Sequence, residues 1–485
     1  MAVEVELKLE LTPEAVDDLL GCDLLSGEPT TIPQRSIYFD TPEQDLRAAG
    51  FSLRIRQSRG QRVQTVKATG AAAAGLFARP EWEQKVGDDL PVLDDTTPIK
   101  ALLGTRGATL RPVFEVVAER RIWTLSQEDA EFELALDRGE VVAGDRHSPF
   151  CEIELELKSG SPAALFSYAR RINAAVPSPL SVLSKAGRGY RLLGPVVRAV
   201  KAEPMILASD MTTVIAFRHI AGACLRQFRL NETLIDYGNV EALHQARVAL
   251  RRLRSAFTLH KSVAQDGQFD RLREDLRWLA AGLGTARDFD VLVARRKNGE
   301  IHSGLEEARR QSYEEAITAL ASPRARDLML NLSEWLSLGE WLTAPSGTDA
   351  REQPLRDFAA SVLSRFRRKV RKGGRGLCGQ EDAARHQLRK DTKKLRYAAE
   401  FFASLFEGKR QKRRYGRFLE TLEALQDKLG LLNDAVSAPE LLARFGLDKN
   451  PEAMSLLAPA EDKESLVEAA ADAHDAFADA KPFWR

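Results

Sequence analysis

Cysteine is scarce in this 485-residue chain: Cys22, Cys151, Cys224 and Cys378 lie far apart with no CxxC pair. That excludes a disulfide framework and a cysteine-held zinc site, and it suits a reducing compartment. Long apolar runs are missing too, for nothing approaches the roughly 18 residues that span a bilayer. Met1-Ala2 lead straight into strand-like sequence, so no secretory leader is expected. No membrane partner is expected, and the expected location is the cytoplasm. A large charge excess is also absent, the formal net charge being +1. Residues 1–200 hold 24 Lys+Arg against 29 Asp+Glu, which leaves 47 against 41 in the remainder. Neither imbalance is extreme, but two dense basic runs, RFRRKVRKGGR (365–375) and KRQKRR (409–414), stand out. With 44% hydrophobic and 29% charged residues, the chain has a globular composition and the length of two or three domains.

Up to about residue 195 the pattern is mostly β. Strands are predicted at 3–11, 35–41, 51–57, 62–68, 79–86, 112–125, 132–142 and 150–160, with Gly, Pro and Asp between many of them. Short helices are predicted at 12–21 and 161–176. Eight such strands suit a closed antiparallel barrel. A linker is predicted at 196–204, and amphipathic helical patterns then run from 205 to 485. That half repeats itself. HQARVALRRLRSAF (244–257) is echoed by HQLRKDTKKLRYAA (386–399), and LGTARD (283–288) by LGLLND (429–434). The expected architecture is therefore an α+β multidomain chain: domain 1–195 an eight-stranded barrel, domain 205–485 all-α with two pseudo-symmetric helical bundles.

Period 2 sorts the charges of each strand onto faces. Glu4, Glu6 and Lys8 share one; so do Arg54 with Arg56, Glu81 with Glu83, and Glu152 with Glu154 and Glu156, while Lys67 stands alone. Outer barrel faces usually mix signs and small polar residues, whereas these rows are segregated by sign. Segregation favours charges in the lumen and apolar residues outward. Such a lumen is tolerable only if opposite charges and a ligand compensate one another. Arg and Lys rows grip phosphoryl groups, and carboxylate pairs hold hard divalent cations.

Glu4-x-Glu6-x-Lys8, followed in order by LRIR, TVKA, EWE, EIELE and SKAGRGY (184–190), resembles the CYTH, or triphosphate tunnel metalloenzyme, superfamily. The resemblance implies an eight-stranded tunnel that cleaves triphosphate compounds with Mg²⁺ or Mn²⁺. It implies that Lys8, Arg54, Arg56, Lys67, Arg120 and Lys185 grip phosphates and that Glu81 and Glu83 complete the lining. Glu4, Glu6, Asp137, Glu152 and Glu154 would be the metal and water-positioning carboxylates, with Glu4, Glu6 and Lys8 at the centre of catalysis. Arg121, pointing opposite to Arg120, competes with it for the lumen. The expected substrate is inorganic triphosphate, hydrolysed to pyrophosphate and phosphate. A non-hydrolytic binding module and an enzyme acting on thiamine triphosphate or ATP are the alternatives, and the loop at 68–80 is a candidate gate for that choice.

In the helical half, His244, Arg247, Arg251 and Arg254 fall within an arc of about 80°, opposite a stripe of Ala246, Leu250, Leu253 and Phe257. His386, Arg389, Lys393 and Arg396 do the same, backed by Leu388, Leu395 and Ala399. Stacked like charges repel, so an extended polyanion is the expected partner. Nucleic acid is disfavoured, because these stripes have only Tyr397 nearby to stack a base. The repeats resemble the CHAD domain, which implies binding of long-chain inorganic polyphosphate and association with polyphosphate granules. The resemblance includes RWLAAGLGTARDFDVL (277–292), and the second copy departs from it at Leu432-Asn433.

Overall fold

The computed structural model describes residues 2–68, 75–127, 129–294, 303–344, 348–450, 453–454 and 462–485. The strands are β1 Ala2–Glu10, β2 Thr30–Asp40, β3 Phe51–Ser58, β4 Gln61–Ala68, β5 Leu76–Val86, β6 Arg111–Gln127, β7 Ala130–Ala143 and β8 Arg146–Ser159. The helices begin with α1 Pro13–Leu20, α2 Asp45–Ala48, α3 Ile99–Leu103, α4 Ala163–Ala175, α5 Lys185–Leu193, α6 Thr213–Glu232 and α7 Val240–Leu259. They continue with α8 Lys261–Ala264, α9 Phe269–Gly282, α10 Gly284–Ala294, α11 Ser303–Ala321, α12 Pro323–Leu338 and α13 Thr348–Glu352. The last are α14 Leu355–Gly373, α15 Asp382–Phe402, α16 Lys409–Arg444 and α17 Lys463–Asp479. The chain divides into two compact units, residues 1–200 with 321–339, and residues 201–320 with 340–485.

In the first unit the eight strands close into an antiparallel barrel, in the order β1-β5-β4-β3-β2-β6-β7-β8. The β3–β4 hairpin turns through Arg59 and Gly60, both at positive φ (51° and 73°), as a tight two-residue turn demands. The apolar strand residues face outward. Ile37, Phe39, Leu53, Ile55 and Val66 pack beneath Leu46 of α2 and Ile99 and Leu103 of α3. One end of the interior is apolar as well: Tyr38, Phe114, Val116, Val141 and Phe150 meet Tyr190 of α5. Gly189 makes that closure possible, since a Cβ there would stand 2.1 Å from the Phe114 ring. The helix begins under a Ser184 cap that accepts from the Gly187 amide, which sets Lys185 at its first turn.

Helix α12 belongs to the barrel unit although it lies far along the chain. Its Asp327 accepts from Asn173 of α4 at 2.9 Å, and Arg170 of α4 donates to Asn331 at 2.9 Å and pairs with Glu334. The second unit is helical throughout its described residues. Its largest side chains, among them Phe217, Phe257, Phe269, Trp341 and Phe402, are fully buried or nearly so.

Candidate active site and basic cluster

The barrel encloses a polar cavity of about 560 Å³. Period 2 places Lys8, Arg54, Arg56, Lys67, Glu4, Glu81, Glu83, Arg120 and Glu154 along it, and α5 adds Lys185. Across the ladders Lys8 stands opposite Glu154, Arg120 opposite Asp137, and Asp137 opposite Glu152. The result is a buried knot at one end of the lumen. Arg120 grips Asp137 through two bonds of 2.7 and 2.6 Å and also bonds Glu154. Lys185 donates to Asp137 at 2.6 Å, to Glu154 at 2.9 Å and to Glu152. Lys8 bonds Glu154 and lies 3.5 Å from Glu6. Arg121 points outward to Glu119, so Arg120 is the lumen residue of the pair.

Electrostatics follow from this pairing. Burial alone would raise Glu154, yet Lys185, Lys8 and Arg120 hold it well below the usual carboxylate range. Asp137 is likewise held low, by Lys185 and Arg120 against its burial. Lys8 is raised, because Glu154 and Glu6 outweigh its desolvation. Arg56 goes the other way, lowered to about 10 by Arg54 beside it and then by burial. Arg54 makes no ion pair within the described residues, and its Nε is buried without a partner; Tyr38 and Glu81 nonetheless keep it charged.

A second group lies apart from the knot. Lys67 bonds Glu4 at 2.5 Å and Glu81 at 3.3 Å, and Arg56 reaches Glu83 at 3.3 Å. Arg79 bonds Glu6 at 2.6 Å and comes within 3.8 Å of Glu4. Arg79 was not foreseen, although it shares strand parity with Glu81 and Glu83. Glu10, at the end of β1, accepts from Arg188 of α5 at 2.8 Å. Residues 69–74 of the expected gating loop lie outside the described residues.

Oxygens of Asp137, Glu152 and Glu154 lie within 4.8 Å of one another. Glu152 Oε2 is buried with no hydrogen-bond partner. Three hard oxygen donors with one orphan oxygen fit a divalent cation. Glu4 and Glu6 are not in that trio; Lys8, touching both Glu6 and Glu154, is the link between the groups.

In the helical unit α7 lies against α15 and α10, and α10 against α16. Arg247 is 3.9 Å from Asp288, and its counterpart Arg389 is 3.9 Å from Asp434. Those two aspartates are the shared final residues of LGTARD and LGLLND. Gly284 makes room, for a Cβ there would stand 3.0 Å from Arg247 Nη1. Arg247 Nη1, Arg251 Nε and Arg389 Nε are buried without partners. Arg251, Arg389 and Arg247 all act electrostatically on Lys393, so the two stripes meet there. The stripe ends diverge. Arg396 pairs with Glu400 and Glu423, whereas Arg254 has Arg277 and Arg273 for neighbours. His244 is lowered by burial and by Arg287, while His386 bonds Asn433, the residue at the Arg287 position of the second repeat.

Residues 2–190 match the CYTH domain family and residues 219–443 the CHAD domain family. An inorganic triphosphatase of Haemophilus influenzae is 32% identical over 208 residues, which cover 40% of this chain and 55% of that relative. The match thus spans little more than half of the relative's length. An uncharacterized protein of Mycobacterium tuberculosis is 26% identical over 407 residues, 75% of each chain. Among solved structures, the CHAD domain from the plant Ricinus communis is 28% identical, covering 57% of this chain and 96% of its own, with a TM-score of 0.47.

Proposed function

Because the chain carries a CYTH domain at residues 2–190 followed by a CHAD domain at 219–443, we propose that its barrel hydrolyses inorganic triphosphate to pyrophosphate and phosphate. The observation that carries this reading is the sorting of charge around one cavity: phosphate-gripping cations line it together with Glu154, which also belongs to a trio with the fully buried Asp137 and Glu152, one Glu152 oxygen having no hydrogen-bond partner. Arg54, Arg56, Lys67, Lys8, Arg120 and Lys185 grip the phosphoryl oxygens. They spread and neutralise charge on a group whose transfer needs in-line geometry more than covalent help. Asp137, Glu152 and Glu154 would hold Mg²⁺ or Mn²⁺, with Glu6 next to them through Lys8. Bound there, such an ion supplies Lewis acidity and a water of lowered pKa. Glu4 and Glu6 orient the attacking water toward a terminal phosphorus, and the departing pyrophosphate is held by the arginines. The lumen favours an inorganic substrate. Among the described residues that line the cavity the aromatic one is Tyr38, which is already stacked on Phe114 at 4.6 Å.

The helical unit we read as a binder of long-chain polyphosphate. The unpartnered guanidinium nitrogens of Arg247, Arg251 and Arg389 support an anion with no bases to stack. The deciding assay is phosphate release from triphosphate, ATP, thiamine triphosphate and long-chain polyphosphate, each with Mg²⁺ and with Mn²⁺. Triphosphate should be the preferred substrate, with Glu4→Ala and Glu6→Ala each costing at least 10²-fold in kcat. Full activity in either variant overturns the assignment, and release from none of the four compounds points to a binding-only barrel.

A further inference from the structure

The two repeats differ at one position of the basic cluster. Arg251 and Lys393 occupy the same offset, seven residues after His244 and His386 respectively. An arginine stays charged at any accessible pH, whereas a crowded lysine can shed its proton. Lys393 is crowded. From α7 it faces Arg247 and Arg251, from its own helix Arg389, and from α16 the Asp434 carboxylate. Asp434 is already engaged at 3.9 Å by Arg389, and Asp288 of α10 at 3.9 Å by Arg247. Helix α14 meets α15 on the opposite, apolar stripe, where a Cβ on Gly373 would stand 3.4 Å from Leu388. The carboxylates near the cluster are thus shared among more cations than they can neutralise.

We propose that Lys393 is a proton-linked anion receptor, which takes up a proton as polyphosphate enters the cluster, so that capture tightens as pH falls through neutrality. The inference rests on the polyphosphate reading above. Burial, then Arg251 and Arg389, pull the Lys393 ammonium down to about 7. A polyanion beside it reverses that balance and restores it toward the ordinary lysine range of about 10.4. The sign is fixed by linkage. The bound state holds more protons than the free state between those limits, so affinity rises on acidification. From pH 8.5 to pH 6 this one group strengthens binding on the order of 30-fold. Internal phosphates of a long chain stay ionised throughout, and His244, lowered by burial and Arg287, adds only a smaller component at the acid end.

The test is calorimetric titration of the full chain with long-chain polyphosphate at pH 7.5, in buffers of different ionisation enthalpy. The wild type should take up roughly 0.8 proton per site from a group titrating near 7. Lys393→Arg, charged at every pH, should bind without that uptake and be on the order of 30-fold tighter than wild type at pH 8.5. Lys393→Gln should bind weakly at both pH values, with a thermal melt confirming its fold. Proton uptake in Lys393→Arg equal to that of wild type overturns the inference while leaving polyphosphate binding intact. Absence of binding by the wild type at pH 6 overturns both.

Discussion

Lys185→Met tests the buried knot. The Lys185 ammonium lies 2.6 Å from Asp137 and 2.9 Å from Glu154 and also bonds Glu152; Asp137 and Glu152 have no solvent exposure. Methionine keeps much of the side-chain volume and removes the charge. Three buried carboxylates then share Lys8 and Arg120, with Glu152 losing its nearest cation and keeping only Arg188 at 3.8 Å. Removing one partner of a buried pair costs about 3–5 kcal/mol. For a unit of this size that lowers the melting temperature by roughly 6–20 °C. Differential scanning calorimetry of the full chain should show the loss in one transition and leave the other in place. Mg²⁺ or Mn²⁺ at millimolar concentration should then restore more stability to the variant than to wild type, because the trio lacks a positive charge that a divalent cation supplies. A melting temperature within 2 °C of wild type, or equal stabilisation of both proteins by metal, refutes the reasoning.

Two further outcomes follow from groups in the helical unit. His260 is fully buried, stacked between Phe217 at 4.8 Å and Phe358 at 5.1 Å, and its burial lowers it from 6.5 to about 4. A folded-state value below the unfolded one means stability is intact above pH 6.5 and lost as pH falls toward 4. The loss is about 2 kcal/mol by pH 5 and about 3 kcal/mol in the limit; His260→Phe should abolish it, and parallel urea-unfolding profiles for the two proteins between pH 7.5 and 5 would contradict the assignment. Arg247→Gln combined with Arg389→Gln should cut polyphosphate affinity at low salt and reduce the slope of log K against log salt by roughly 1.4, at about 0.7 per lost phosphate contact. An unchanged slope in a binding titration would place the anion elsewhere.

Much of the barrel was legible because a lumen and an outer surface impose period 2, and the segregation of signs marked which face was which. Arg79 carried the same signal, two residues before Glu81, but it stood at the first position of the predicted strand 79–86, whereas the strand in fact begins at Leu76 and carries Arg79 well inside it. Adjacent Arg120 and Arg121 could not be told apart by period alone; the strand register with β7 decides, setting Arg120 opposite Asp137. The apolar end of the lumen was illegible for a related reason. In β6, Phe114, Val116 and Ala118 share a face with Arg120, so one face changes from apolar to charged partway along the strand. Tyr190, which closes that end, comes from α5, a nine-residue helix carrying Gly187 and Gly189 that the sequence reading did not single out as a helix. In the helical half the repeats announced Arg247 and Arg389, but not the aspartates opposing them, which lie about 40 residues further on. Nor does an amphipathic pattern name its partner, and the packing of α12 with the barrel unit has no sequence signature.

If the barrel cleaves triphosphate and the helical unit binds polyphosphate, as proposed, the two units meet one problem, holding a polyanion, with opposite electrostatics. In the lumen nearly every cation already has a carboxylate: Lys8 with Glu154, Lys67 with Glu4, Arg79 with Glu6, Arg120 with Asp137. A phosphoryl group must displace these partners, so little attraction is left over for an arbitrary anion. A divalent cation changes the balance by taking carboxylates out of the exchange and freeing their cations for phosphate. On that reading selectivity and metal dependence would have the same origin, and Arg54, which makes no ion pair among the described residues and has a buried Nε without a partner, would make the first contact. The helical cluster is built the other way, with guanidinium nitrogens left over after Asp288 and Asp434 are counted. It gains most from any dense polyanion and loses most to salt. Catalysis needs the first design, because charges that are satisfied before and after binding fix geometry. Retention needs the second, in which unsatisfied charge itself supplies the affinity.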